Sequence, residues 1–123
     1  PYAEFGMLSL QLWRAIRLVL DTGIHAKRWS REQAVDYFTK NSPNSERDIG
    51  KEVDRYINNP GQATSYMIGR LKIAELRDKA KQALGTKFDL RAFHEVVLAN
   101  GALPLDVLER EVDGYIARGG KLS

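Results

Sequence analysis

Apolar residues recur along this chain at intervals of three and four, the period of an α-helix. Phe5, Leu8, Leu12, Ala15, Ile16, Val19 and Leu20 form the first such stripe, and Leu10, Trp13 and Leu18 add apolar surface on its flank. The pattern predicts a first helix packed on most of its sides. Its polar stripe is Arg14, Arg17, Asp21 and, if the helical path persists past Gly23, His25. Arg17 and Asp21 stand four apart and can pair. The stretch from Asp21 to Trp29 reads as a break, with Gly23 taking the left-handed position at a helix C-terminus. Ser30 and Gln33 make a capping box for a second helix, whose buried side is Ala34, Val35 and Phe38. That helix stops near Asn41-Ser42-Pro43, a turn signal. Ser45 opens a third helix carrying Ile49, Val53, Tyr56 and Ile57 at helical spacing.

The third helix ends at Asn58-Asn59, the chain turns at Pro60-Gly61, and the longest helix runs from Ala63 to Leu84. Along it Tyr66, Gly69, Ile73, Leu76, Ala80 and Ala83 follow a 3-4-3-4-3 pattern, which predicts a seam packed against another helix. Glycine inside a helix costs about 1 kcal/mol relative to alanine. Gly69 is therefore expected to mark a close helix crossing or room for a ligand. Gly85 ends the run, and Asp89 caps a fifth helix with Leu90, Phe93 and Val97 facing inward. Gly101 ends the fifth helix, and Pro104 suits the first position of a sixth. Leu105, Leu108, Val112, Tyr115 and Ile116 are the buried stripe of the sixth, and Gly119-Gly120 terminates it. The expected class is all-α. Six helices form a compact bundle or orthogonal array over one domain, 1–123, with no sheet.

Composition narrows the class further. With 43% hydrophobic and 28% charged residues, the chain is neither a disordered nor a membrane sequence. No apolar run reaches the roughly 18–20 residues of a spanning helix. The 19 basic residues exceed the 16 acidic ones by three, but the charges are interspersed and read as a solvated surface. Phosphates would also repel a third helix that carries Glu46, Asp48, Glu52 and Asp54, so no nucleic-acid partner is expected. The absence of cysteine excludes disulfides and thiolate chemistry and leaves the compartment, cytoplasmic or periplasmic, open. The chain opens on Pro1, and an apolar helix without a strong N-cap follows at once. Together these favour a piece of a longer protein.

Few motifs carry chemistry. His94-Glu95 is half of an H-E-x-x-H zinc motif, but Leu98 stands where the second histidine belongs, and the other histidine, His25, is far off in sequence. No metal site within this chain is expected. There is no cysteine or G-x-S-x-G nucleophile and no glycine-rich phosphate loop. The corner Arg55 to Tyr66 is more promising, because a helix start offers free N–H groups and partial positive charge to a carboxylate or carbonyl oxygen. Arg55, Gln62, Ser65 and Tyr66 crowd that start. His25 reads either as a histidine bonded to local backbone or as a donor aimed into a cleft, its state set by Asp21 or another carboxylate. Tyr66 is either a core aromatic or a phenol donating to a developing oxyanion.

Certain blocks are specific. Asp21-Thr22-Gly23-x-His25-x-x-x-Trp29-Ser30 and Arg55-Tyr56-x-x-x-Pro60-Gly61-Gln62-Ala63 are accompanied by Trp13-Arg14-Ala15, Arg17-Leu18-Val19, Arg31-Glu32-Gln33-Ala34, Glu52-Val53, Tyr66, Gly69, Leu76-Arg77, Phe93-His94 and Gly101-Ala102-Leu103-Pro104-Leu105. Through nearly its whole length the chain resembles the C-terminal part of the bacterial domain-of-unknown-function 885 family. The resemblance implies a longer, largely helical parent, similar to helical zinc metallopeptidases, with its zinc-binding His/Glu segment upstream of Pro1. It implies no cofactor in this chain and zinc in the parent. It makes His25 and Tyr66 candidate catalytic oxyanion donors, Arg55 and Gln62 candidate contacts for a peptide's carboxylate or backbone, Tyr56 a support for Arg55, and Asp21 an orienting partner for His25. Arg28 and Met67 depart from the family pattern and bear on local substrate preference. The expected partners are the remainder of the parent polypeptide, a peptide-like substrate and, through exposed apolar surface, a second copy. The competing expectation is a non-catalytic helical domain that docks another protein.

Overall fold

The computed structural model describes residues 1–122. Among these there are six α-helices and no strand: α1 (Tyr2–Lys27), α2 (Arg31–Asn41), α3 (Glu46–Asn58), α4 (Ser65–Leu84), α5 (Leu90–Leu98) and α6 (Leu105–Ala117). The all-α class read from the sequence is the class observed. Backbone contacts divide the chain into two compact units, Pro1–Ile68 and Gly69–Ser123.

In the first unit α1, α2 and α3 surround a core of Ile16, Leu20, Ala34, Phe38, Ile49, Val53, Tyr56 and Ala63, edged by Trp13, Ile24, Trp29, Val35 and Tyr37. The capping box of α2 is present: the Gln33 N–H donates to Ser30 Oγ at 3.2 Å and the Ser30 N–H to Gln33 Oε1 at 2.8 Å. Ser45 caps α3 by accepting from the Asp48 N–H.

Two expectations about α1 need correction. Gly23 does not end it. The helix continues to Lys27, and Arg28 takes the left-handed position at φ +58°, while the Trp29 N–H bonds back to the Gly23 carbonyl at 3.0 Å. The Trp29 ring folds over Gly23 so closely that a Cβ there would stand 2.5 Å from Cε3. Glycine is needed at that position for packing. Nor is α1 packed on most sides: Phe5, Leu8 and Leu12 remain 66%, 54% and 45% exposed, and burial begins at Ile16. The reason is length. At 1.5 Å per residue α1 extends about 39 Å, whereas the 11 residues of α2 and 13 of α3 reach about 17 and 20 Å.

The second unit has its own core of Leu76, Ala80, Leu84, Phe93, Val96, Leu108, Val112 and Tyr115. Lys72 pairs with Glu109 at 2.8 Å and Lys79 with Asp113 at 2.6 Å, joining α4 to α6. The predicted seam of α4 shifts. Leu76, Ala80 and Leu84 are buried at steps of four, while Ile73 and Ala83 are exposed. A Cβ on Gly69 would meet nothing within 4 Å among the described residues, so that glycine marks no helix crossing. Asp89 caps α5 by accepting from the Arg91 and Ala92 N–H groups at 2.6 and 3.1 Å. Val96 is its second buried position, Val97 packs partly buried against the same core, and Leu90 is exposed. Pro104 stands one residue before α6 as its N-cap, and Gly119 and Gly120, at φ +66° and +84°, close the helix.

Candidate functional site

The turn between α3 and α4 is held from beneath by α1. Gly61 has φ +82°, and its N–H donates to both carboxylate oxygens of Asp21 at 3.1 and 3.0 Å. Asp21 is the one buried charged residue among those described. Its carboxylate thus serves the turn, and the i,i+4 pair with Arg17 is not formed. His25, one helical turn further along α1, places Nε2 2.9 Å from the Tyr56 carbonyl oxygen. A carbonyl only accepts, so Nε2 carries the proton, and Nδ1 of the neutral ring is an acceptor. His25 and Asp21 therefore both fasten α1 to the corner, 31 and 40 residues away in sequence.

Tyr56 is fully buried and joins the core to a polar network. Its hydroxyl donates to Glu52 Oε2 at 2.7 Å and accepts from Trp13 Nε1 at 3.3 Å. Burial first, then the bond to Glu52, push the phenol up to about 12. The same Glu52 oxygen accepts from Arg55 Nη2 at 2.6 Å, and Glu52 Oε1 accepts from Arg55 Nε at 3.3 Å. Burial pushes the Glu52 carboxyl up, but the bonds from Arg55 and Tyr56 outweigh it and hold the group below its ordinary value. Arg55 is raised in turn, chiefly by its bond to Glu52.

Gln62 ties two arginines together. Its Oε1 accepts from Arg17 Nη2 at 3.1 Å and from Arg55 Nη1 at 3.3 Å, and its Nε2 donates to the Tyr66 hydroxyl at 3.4 Å. The Arg17 guanidinium carbon lies 4.4 Å from the centre of the Tyr66 ring and 5.6 Å from that of Tyr56. Such stacking contributes about 0.5–2 kcal/mol. Arg17 Nε is buried without a hydrogen-bond partner among the described residues. Tyr66 itself is 45% exposed, so it is no core aromatic. Beside it lies a cavity of about 140 Å³ lined by Leu10, Trp13, Arg14, Arg17 and Tyr66.

The structure thus brings Arg55, Tyr56, Gln62 and Tyr66 into one network and attaches Asp21 and His25 to the backbone that carries it. Reasoning from the sequence missed Arg17, Trp13 and Glu52 as members. Arg17 had a signal, its place on the polar stripe of an otherwise apolar helix. Among the described residues no three His, Asp or Glu side chains gather closely enough to hold a metal.

These observations define an all-α protein with an arginine, tyrosine and glutamine surface built on a helix corner. The chain belongs to the family described as bacterial protein of unknown function (DUF885), which matches residues 1–112. It is similar to a candidate lipoprotein from Colwellia psychrerythraea of known crystal structure, 49% identical, with a TM-score of 0.94 over 96% of this chain. The chain spans 20% of the length of that protein. No curated protein matches.

Proposed function

We propose that this chain forms one wall of the substrate cleft of a larger, zinc-peptidase-like protein and is not active without the remainder. The observation that carries this reading is the Arg17–Gln62–Tyr66 group. Tyr66 is exposed, Arg55 ties Gln62 to Glu52 from behind, and the Tyr56 ring lies against Arg17. Such a group holds a peptide's oxygen atoms in place, since guanidinium and phenol donors need no reorganisation when charge develops on a bound carbonyl. In this reading Tyr66 donates to the oxyanion, and Arg55 and Gln62 contact the peptide's carboxylate or backbone. His25 donates through Nε2 to backbone, so it positions the corner and offers a second donor only when protonated. In this reading the zinc is held by the remainder of the parent, outside this chain.

The remainder of the parent is the natural cover for the exposed α1 face of Tyr2, Phe5, Leu8 and Leu12, since the similar Colwellia chain is about five times longer. In the second reading, that same face docks a separate protein and no catalysis occurs.

Peptide hydrolysis by the full-length protein, measured with metal analysis before and after chelation, separates the two. A peptidase loses turnover with its metal, and Tyr66→Phe then lowers kcat by about 10²-fold, as loss of one oxyanion donor does. Absence of both metal and hydrolysis, or an unchanged kcat in Tyr66→Phe, overturns the assignment.

A further inference from the structure

We infer that the cavity between Arg14 and Arg17 is an anion subsite whose ligand is a carboxylate attached to an apolar group. Both arginines are only half exposed. Elsewhere in the same unit Arg31 is paired with Asp54 at 2.6 Å and Arg55 with Glu52 at 2.6 Å. Neither Arg14 nor Arg17 has an acidic group within 4 Å among the described residues. Two arginines without an ion pair line one cavity, and Glu52 reaches Arg17 only through its field, which leaves room for an external anion to complete them.

Shape and lining select the anion. About 140 Å³ holds roughly the volume of four or five waters at ~30 Å³ each, enough for a carboxylate and a small side chain but not for a whole peptide. Leu10, Trp13 and the Tyr66 ring supply an apolar wall, which an inorganic anion would leave unused. Arg17 is already oriented: Tyr66 stacks on its face and Gln62 Oε1 takes one Nη2 hydrogen, so little side-chain freedom is lost on binding. Arg14 adds a second cation from one turn earlier on α1. The inference deepens the cleft reading and rests on it for its biological role. It adds Arg14 to the candidate contacts Arg17, Arg55 and Gln62.

Calorimetric titration of the full-length protein tests it, with N-acetyl-leucine, N-acetyl-leucinamide, inorganic phosphate and the tripeptide Ala-Ala-Leu as probes. The acid is expected to bind at least tenfold more tightly than the amide and than phosphate, because the charge-assisted bonds are lost with the carboxylate and the apolar contact with phosphate. Arg17→Met and Arg14→Met should each weaken the acid by about tenfold or more and leave the amide unchanged. Arg14→Met guards against a folding defect, since Arg14 makes no hydrogen bond or ion pair to lose among the described residues. Tighter binding of the tripeptide assigns the carboxylate to a peptide terminus, and equal binding assigns it to a small acid. Equal affinity for acid and amide, phosphate binding as tightly as the acid, or wild-type affinity in both arginine variants overturns the subsite. Carboxylate selectivity without peptide hydrolysis leaves the subsite standing and removes the cleft reading; hydrolysis without selectivity does the reverse.

Discussion

Alanine at Gly23 is expected to destabilise the first unit, although an alanine inside a helix ordinarily stabilises it. Gly23 lies within α1, four residues before its end, so helix propensity alone favours alanine by about 1 kcal/mol. Against this, the new Cβ would stand 2.5, 2.7 and 2.9 Å from Trp29 Cε3, Cδ2 and Cζ3. Ordinary carbon contacts lie at about 3.5–4.0 Å, so the ring must retreat by about 1 Å. It has little room to do so, since Trp29 packs on the core and its ring centre is 5.6 Å from that of Tyr37. Overpacking of this kind costs about 1–3 kcal/mol, and strain on the Trp29 N–H bond to the Gly23 carbonyl adds about 1 kcal/mol more. The net expectation is a loss of about 1–3 kcal/mol. Both tryptophans of the chain, Trp13 and Trp29, lie in this unit, so urea unfolding followed by tryptophan fluorescence reports on it. The decisive comparison is a double-mutant cycle. In a Trp29→Ala background, read through Trp13, Gly23→Ala should become stabilising by about 1 kcal/mol. If the substitution stabilises both backgrounds alike, Trp29 does not impose glycine at this position.

Other substitutions probe the corner. Tyr56→Phe removes the donor to Glu52 and leaves Trp13 Nε1 without its acceptor, so thermal unfolding should show a loss of about 1–3 kcal/mol. The Tyr56 phenol, raised to about 12, should still be protonated when ultraviolet absorbance shows the exposed tyrosines ionising. Glu52, whose folded value is depressed, contributes stability that is present above its ordinary 4.5 and is lost as pH falls through the folded value. Glu52→Gln should flatten that acid limb of the stability profile, and an unaltered limb would place the dependence elsewhere. Asp21→Asn keeps one acceptor for the Gly61 N–H and should be mild, whereas Asp21→Ala should cost about 1–3 kcal/mol and expose the Pro60–Gly61 turn to proteolysis. Leu8→Glu should reduce self-association of the free chain while destabilising the full-length protein, if the parent covers α1.

Local chemistry made much of this fold legible. The caps at Ser30, Ser45 and Asp89 are settled within three residues of each helix start, and the chain carries their signals in full. The end of α1 was misread because the reason for Gly23 is a ring six residues on, and the left-handed position went to Arg28. The seam of α4 and the apolar face of α1 were misassigned for another reason. Periodicity shows which residues share a side of a helix, but burial depends on how far the neighbouring helices reach. The site divides in the same way. Arg55, Tyr56, Gln62 and Tyr66 fall within one short stretch and declare themselves together. Arg17 meets Gln62 across 45 residues and Trp13 meets Tyr56 across 43, and only tertiary packing brings these pairs into contact.

The most direct test is a crystal structure of the full-length protein with a bound, uncleaved peptide. The Tyr66 hydroxyl and the Arg17 guanidinium should then lie within hydrogen-bonding distance, about 2.6–3.2 Å, of peptide oxygens. A corner sealed under apolar helices, with the peptide bound elsewhere, would contradict the account.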